Sequence, residues 1–270
     1  MILNELLERS SHRLKDRTLL VTLASACFQR STAWILAHGD HAVSEDDVQT
    51  YSTWVERIER EEPLAYVTGT IPFRDLEIKV DSRVLIPRPE TELLVETALR
   101  LNLPDRATVF DLGTGSGCIA ASLTSSRPHW RIFAGDRSLE ALALARKNAA
   151  GVSLVAMDAL TGLNRGSTFD LVISNPPYVV SAELPTLPRS VREYEPMIAL
   201  DGGRDGLDFY RLLCHSIPPH LKPGGWIVME IGYNQSEQVA SLFCNAGWTI
   251  IEILKDGASI PRVVTATWLP

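Results

Sequence analysis

The chain has 270 residues, 45% of them apolar, enough to bury a large core in one domain or in a small domain joined to a medium one. Its formal net charge of −7 argues against broad adhesion to phosphates, because non-specific nucleic-acid affinity needs clustered Lys and Arg to displace counterions. Cys27, Cys118, Cys214 and Cys244 lie far apart with no Cys-x-x-Cys pair, which excludes a disulfide framework or a zinc ribbon, so reduced thiols and no metal site are expected.

The first seventeen residues carry Glu5, Glu8, Arg9 and Arg13 within an apolar periodicity, unlike a signal peptide, and no stretch has the uninterrupted apolar length of a membrane span. A cytoplasmic protein without membrane contact is expected. Over residues 1–62 the apolar positions recur at helical spacing, as in Ile2, Leu3, Leu6 and Leu7 and again in Val48, Tyr51, Trp54, Val55 and Ile58. This predicts a bundle of short helices. Ser44, three residues before Asp47, is a weaker relative of the Ser-x-x-Glu capping box and predicts a helix start, with Pro63 stopping the same helix after Arg60. Residues 70–85 differ in texture: Pro72 and an alternating Leu76, Ile78, Val80 pattern predict a β-hairpin between domains.

From there the chain alternates strand and helix. Seven strands are predicted, near residues 108–111, 131–135, 153–156, 171–174, 226–230, 249–254 and 262–268. Helical patterns fill 90–101, 118–125, 139–149, 207–217 and 235–245. Only residues 255–261 separate the last two strands, too few for a helix, so the seventh strand is expected to run antiparallel. A mostly parallel sheet with one reversed strand resembles the plan of Rossmann-like methyltransferases. The Pro-, Glu- and Arg-rich stretch 179–206 reads as a long loop forming one wall of a substrate site.

Two segments carry the chemistry. Asp111-Leu112-Gly113-Thr114-Gly115-Ser116-Gly117 follows the first strand of the alternating region, where glycines let the backbone turn sharply and approach a ligand beside a helix N-terminus. A dinucleotide fold prefers Gly-x-Gly-x-x-Gly, but position 118 is Cys and the third glycine arrives one residue early. The spacing resembles that of S-adenosylmethionine binders. Asp111 agrees in sign, since an acid suits the cationic methionine end of that cofactor and would repel a pyrophosphate. Asp136, closing the next strand, is placed to accept from ribose hydroxyls, although it or Ser138 could equally cap the following helix. Asp158 and Ala159 are placed to meet the adenine edge, against the plainer reading of Asp158 as a turn residue.

The second segment is Asn175-Pro176-Pro177-Tyr178. Two prolines after a strand remove two amide donors and leave carbonyls that no local ladder claims. An amide or exocyclic amine offers two N–H groups, one for the Asn175 oxygen and one for the Pro176 carbonyl, and Tyr178 supplies a flat ring for stacking. No His, Lys or Cys lies within the segment to take a proton, so rate is expected to come from placement.

These residues resemble the release factor glutamine methyltransferases, protein-(glutamine-N5) methyltransferases of the PrmC or HemK type, over essentially the full chain. Beside the two motifs, Glu62-Pro63-Leu64-Ala65-Tyr66-Val67-Thr68-Gly69, Leu85-Ile86-Pro87-Arg88-Pro89-Glu90-Thr91-Glu92 and Leu200-Asp201-Gly202-Gly203-Arg204-Asp205-Gly206-Leu207 are similar to family signatures. The resemblance implies an α/β fold, a Rossmann-like class I methyltransferase with a seven-stranded mostly parallel sheet. It implies a helical substrate-docking domain over 1–69, a hairpin linker over 70–85 and an S-adenosyl-L-methionine-dependent domain over 86–270. It further implies methyl transfer to the glutamine of the Gly-Gly-Gln loop in peptide chain release factors. Carried over by position, Gly113, Thr114, Gly115, Ser116, Gly117, Asp136, Asp158 and Ala159 would contact the cofactor, Asn175 would touch both it and substrate, and Pro176, Pro177 and Tyr178 would complete the glutamine site. Asn175, Pro176 and Tyr178 are the expected catalytic residues. One departure is Ser259, which stands at the usual glycine of the carboxyl-terminal Asp-x-x-Gly-x-x-Arg pattern and puts the turn geometry in doubt.

Two other readings compete. A nucleic-acid methyltransferase acting on an exocyclic amine would stack a flipped base on Tyr178, but the acidic balance opposes it. A non-catalytic binding protein on the same fold is disfavoured by the intact glycines and Asn175. His38 and His41 flank Gly39-Asp40, a polar turn, and His215 and His220 flank a Pro-Pro pair, so both pairs read as structural. A monomer without direct nucleic-acid contact is expected.

Overall fold

The computed structural model of the protein describes residues 1–164, 166 and 168–269. The chain forms two compact units, one of Met1–Thr70 with Pro188–Tyr194 and one of Ile71–Leu187 with Glu195–Pro270.

The smaller unit is helical: α1 (Leu3–Ser11), α2 (Arg17–Cys27), α3 (Thr32–Ala37), α4 (Glu45–Glu59) and α5 (Leu64–Thr68). Short polar side chains start three of them. Asp16, Ser31 and Ser44 accept from the amides of Leu19, Trp34 and Asp47, which satisfies donors that the first helical turn cannot. The expected Ser44 start is therefore present, and α4 ends one residue before the expected Arg60. Leu3, Leu6, Leu20, Leu23, Ile35, Tyr51 and Val55 form the unit's core, with the Tyr51 hydroxyl donating to the Leu20 carbonyl at 3.2 Å. Within this unit the Tyr194 hydroxyl donates to the Arg60 carbonyl at 2.8 Å.

The larger unit begins at the short two-stranded sheet of β1 (Thr70–Phe73) and β2 (Leu76–Lys79), whose first residue falls at the boundary between the units. There follow α6 (Glu90–Arg100), β3 (Thr108–Leu112), α7 (Cys118–Ser126), β4 (Arg131–Asp136), α8 (Leu139–Asn148), β5 (Ser153–Ala156) and β6 (Phe169–Ser174). After α9 (Arg189–Arg192), which belongs to the smaller unit, come α10 (Asp208–Ser216), β7 (Leu221–Glu230), α11 (Ser236–Asn245), β8 (Thr249–Lys255) and β9 (Pro261–Thr267). The seven-stranded sheet has the order β5-β4-β3-β6-β7-β9-β8. It is parallel through β7, and β9 pairs antiparallel with both β7 and β8, as the short connection before it required. β6 is buried along its whole length, the pattern of a strand covered on both faces.

Strand order reverses between β3 and β6. Parallel sheets open a ligand crevice at such a point, beyond the carboxyl ends of the strands. β7 starts five residues earlier than expected, because Lys222-Pro223-Gly224-Gly225 reads as a turn in sequence yet stays in the strand through an irregular register against β6. Residues 179–206 are not a plain loop. They hold 3₁₀ turns at Ser181–Thr186 and Met197–Ala199 beside α9, each too short to produce a readable helical period.

Candidate active site

Leu112 and Ser174, the last residues of β3 and β6, are register partners, and the Ser174 hydroxyl donates to the Leu112 carbonyl at 2.7 Å. The glycine-rich turn and the Asn-Pro-Pro-Tyr segment therefore leave the sheet side by side. Between them lies a cavity of about 370 Å³, within the range of small-molecule sites.

Gly113, Thr114, Gly115 and Ser116 line it. The amides of Gly113 and Thr114 both donate to the Gly135 carbonyl, at 2.9 and 3.0 Å, and the Gly115 amide donates to Asp136 Oδ2 at 2.9 Å. A Cβ added at Gly113 would meet nothing within 4 Å, and at Gly115 only the Gly113 carbonyl at 4.0 Å. The space that side chains would occupy there is open, as a nucleoside-type cofactor approaching the backbone requires. Gly117 is different. It is absent from the lining among the described residues, and a Cβ there would stand 3.0 Å from that of Ala145 in α8. At Gly117 the structure shows close packing of the start of α7 on α8.

Asp111 lies beneath the loop, with no exposed surface. Its Oδ2 accepts from the Thr114 hydroxyl at 2.6 Å and the Ala120 amide at 3.2 Å, while Oδ1 is buried without a partner among the described residues. Burial pushes its pKa up to about 7. Asp111 supports the loop from below and does not line the cavity. Asp136, Asp158 and Ala159 do line it. The capping alternative for Asp136 is resolved by division of labour, since Ser138 caps α8 through the Ala141 amide and Asp136 Oδ1 accepts from the Ser138 amide at 2.9 Å. Ala159 holds φ of +50°, which turns the chain at the end of β5's extension.

Asn175, Pro176 and Pro177 line the opposite side. Asn175 Nδ2 donates to the Thr91 hydroxyl oxygen at 3.1 Å, and neither Asn175 Oδ1 nor the Pro176 carbonyl accepts from a described residue. Tyr178 departs from expectation. Its ring packs against the main core cluster, its hydroxyl donates to Glu230 Oε1 at 3.3 Å, its carbonyl accepts from Gln235 Nε2 at 3.0 Å, and it is absent from the described lining. The next residue, Val179, bridges to Asp201, and Gln235 ties the Tyr178 carbonyl, so the ring is held on the core side.

The expected wall is present in part: Pro196, Met197, Ile198 and Asp201 face the cavity, with Met197 and Ile198 about half exposed. The buried Glu195 anchors it by accepting from the Ile86 amide at 3.1 Å and from Arg88. Sequence reasoning missed Thr91 and Gly135 as lining residues. Thr91 sat inside the quoted Leu85–Glu92 segment, and a Cβ at Gly135 would lie 2.8 Å from Phe110 Cζ, a constraint that only packing reveals.

A glycine cradle beside β3, a carboxylate ending β4 and a seven-stranded sheet with β9 reversed define a class I S-adenosylmethionine-dependent methyltransferase. Residues 89–187 match the model of the Methyltransferase small domain and residues 5–69 that of the PrmC N-terminal domain. The chain belongs to the release factor glutamine methyltransferase family. It is 41% identical to the Release factor glutamine methyltransferase of Geobacter sulfurreducens, covering 90% of this chain and 86% of that one, and 42% identical to that of Caulobacter vibrioides, covering 82% and 79%. A methyltransferase from Pyrococcus furiosus superposes with a TM-score of 0.57 at 19% identity, over 81% of this chain and 100% of that one, a likeness of fold.

Proposed function

We infer that this chain transfers a methyl group from S-adenosyl-L-methionine to the side-chain amide nitrogen of the glutamine in the Gly-Gly-Gln loop of peptide chain release factors. The observation that carries the reading is the Leu112–Ser174 pairing, which sets the glycine cradle and the two free acceptors around one cavity. When bound, the cofactor supplies an electrophilic methyl group on a sulfonium sulfur. Gly113–Ser116 would hold it along the backbone, Asp136 would accept from its ribose hydroxyls, and Asp158 with Ala159 would border its adenine. Asn175 Oδ1 and the Pro176 carbonyl would each accept one N–H of the glutamine amide, which orients the nitrogen and enriches its electron density.

A carboxamide nitrogen shares its lone pair with the carbonyl, the resonance behind a rotation barrier of roughly 18–20 kcal/mol, so orientation matters more than a base. The described lining holds no His or Lys. Cys118 lines the cavity, but burial pushes its thiol up to about 12. Asp201 is held below the ordinary carboxylate range by the Ser181 hydroxyl and the Gly203 amide, which makes it a weak base. The amide proton is therefore assigned to water. Tyr178 braces the segment in this reading and does not stack on the substrate.

The helical domain over residues 1–69 is proposed to dock the release factor, with residues 70–85 linking it to the transferase domain over 86–270. A partner in translation and four free thiols support action in the cytoplasm, and the same proposal has the chain act as a monomer without direct nucleic-acid contact. No helix among the described residues is long and apolar enough to cross a membrane. In an assay with labelled S-adenosylmethionine, release factor should accept methyl, whereas its glutamine-to-alanine variant and DNA should not. Asn175→Ala should abolish turnover while keeping most cofactor affinity; full turnover would refute the residue assignment, and labelled DNA would refute the substrate.

A further inference from the structure

Glu230 ends β7 and its residue is 1% exposed. Nothing in the reading above uses it. Both carboxylate oxygens are nevertheless engaged: Oε2 accepts from the Thr91 hydroxyl at 2.7 Å and Oε1 from the Tyr178 hydroxyl at 3.3 Å. Thr91 is 2% exposed in the first turn of α6, and its oxygen accepts from Asn175 Nδ2 at 3.1 Å. A chain of two hydrogen bonds thus joins a buried carboxylate to the side chain assigned to hold the substrate.

Counting protons gives this chain a direction. A threonine hydroxyl carries one proton, an ionised carboxylate carries none, and an asparagine amide has two N–H donors at one end and an acceptor at the other. Facing ionised Glu230, the form that prevails above about pH 7, the Thr91 proton is committed to the carboxylate. Thr91 can then meet Asn175 only as an acceptor, so the amide must turn its nitrogen toward Thr91 and leave Oδ1 for a ligand. Without the carboxylate the hydroxyl is free to donate to Oδ1 instead. The flipped amide would offer N–H groups to a substrate that also offers N–H groups.

We propose that Glu230, acting through Thr91, is a positioning residue that fixes which end of the Asn175 amide faces the substrate. The proposal rests on the assignment of Asn175 made above. Glu230 does not itself line the described cavity and reaches it only through Thr91, which does. Its place follows from the sheet, where Ser174 and Met229 are register partners, so the residues that follow them, Asn175 and Glu230, leave neighbouring strands at one level. The same carboxylate holds Tyr178, which fixes the segment at both ends.

Thr91→Val keeps the side-chain shape and removes the hydroxyl; Glu230→Met keeps the length and removes both acceptors. Each should lower kcat on release factor about tenfold, the size of one lost orienting hydrogen bond, with cofactor affinity within about twofold of wild type. Thr91→Ser and Glu230→Gln keep an acceptor where the relay needs one and should restore most of the lost kcat. Thr91→Val with Glu230→Met should be no worse than the poorer single variant, because both break one relay. Thermal midpoints measured alongside separate this from packing, which would make kcat track stability and treat Ser like Val. Unimpaired Thr91→Val, failure of both conservative variants to rescue, or additive losses would overturn the relay. If Asn175→Ala is inactive while Thr91→Val is unimpaired, the relay alone fails; if Asn175→Ala is active, the Asn175 assignment fails with it.

Discussion

The three glycines of the cradle share a spacing but not a task, and the difference is measurable. Gly115 faces open cavity, whereas Gly117 has φ of +81° with Ala145 Cβ 3.0 Å from where its own Cβ would stand. An L-residue in the left-handed region costs about 1–2 kcal/mol and overpacking about 1–3 kcal/mol more, so Gly117→Ala should destabilise the fold by about 2–5 kcal/mol. Gly115→Ala carries the backbone term alone and should act chiefly on cofactor affinity. Urea unfolding and a cofactor titration of both variants check this, and equal unfolding midpoints would contradict the packing role of Gly117. Spacing alone identified the loop. It could not sort ligand contact from packing, because Ala145 lies 28 residues on and only the fold brings it close. For the same reason Glu230 was illegible: its partner Thr91 is 139 residues away.

At the scale of the element, the alternating region was readable wherever an apolar run was bounded by residues with a conformational reason to stop it. Gly113 after β3 and Asn175-Pro176 after β6 are such stops, and each strand was expected within five residues of its place. The Met197–Ala199 turn was not, since three residues carry no period, yet it forms part of the cavity wall. The β8–β9 turn answers the doubt that Ser259 raised. Asp256 Oδ1 accepts from the Ala258 and Ile260 amides at 2.9 Å each and Oδ2 from Arg262 Nε at 3.1 Å, so the turn forms with Ser259 at φ of +63°. Serine bears the left-handed conformation that glycine would adopt freely. Ser259→Gly should therefore stabilise the protein by about 0.5–1 kcal/mol, the relief of about 1–2 kcal/mol less the greater chain entropy of glycine. A melt should show a midpoint about 1–4 °C higher; a lower midpoint would mean that serine relaxes the turn by other contacts.

Over the whole molecule, two carboxylates buried beneath the cavity make stability depend on pH. Burial raises Asp111 from 3.8 to about 7 and Glu230 from 4.5 to about 7, with hydrogen bonds from Thr114, Ala120, Thr91 and Tyr178 only partly opposing it. Between roughly pH 4.5 and 7 the folded chain retains protons that the unfolded chain has released, so stability falls as pH rises, by up to about 1.4 kcal/mol per pH unit for each group. Above the folded pKa the loss levels off. Carboxylates shifted the other way do not mask this: Asp205, drawn down to about 2 by Arg211, has its stabilising contribution in place above the unfolded value of 3.8 and adds no slope in the window. The ligand-free protein should accordingly unfold at lower urea at pH 7.5 than at pH 5.5. Asp111→Asn keeps an oxygen for Thr114 and Ala120 and cannot ionise, so it should remove about half of that difference. A wild-type midpoint that rises with pH, or an unchanged slope in Asp111→Asn, would show that these carboxylates are ionised throughout and that the fold supplies positive potential for them, which would move the electrostatic support of the cradle from burial to charge.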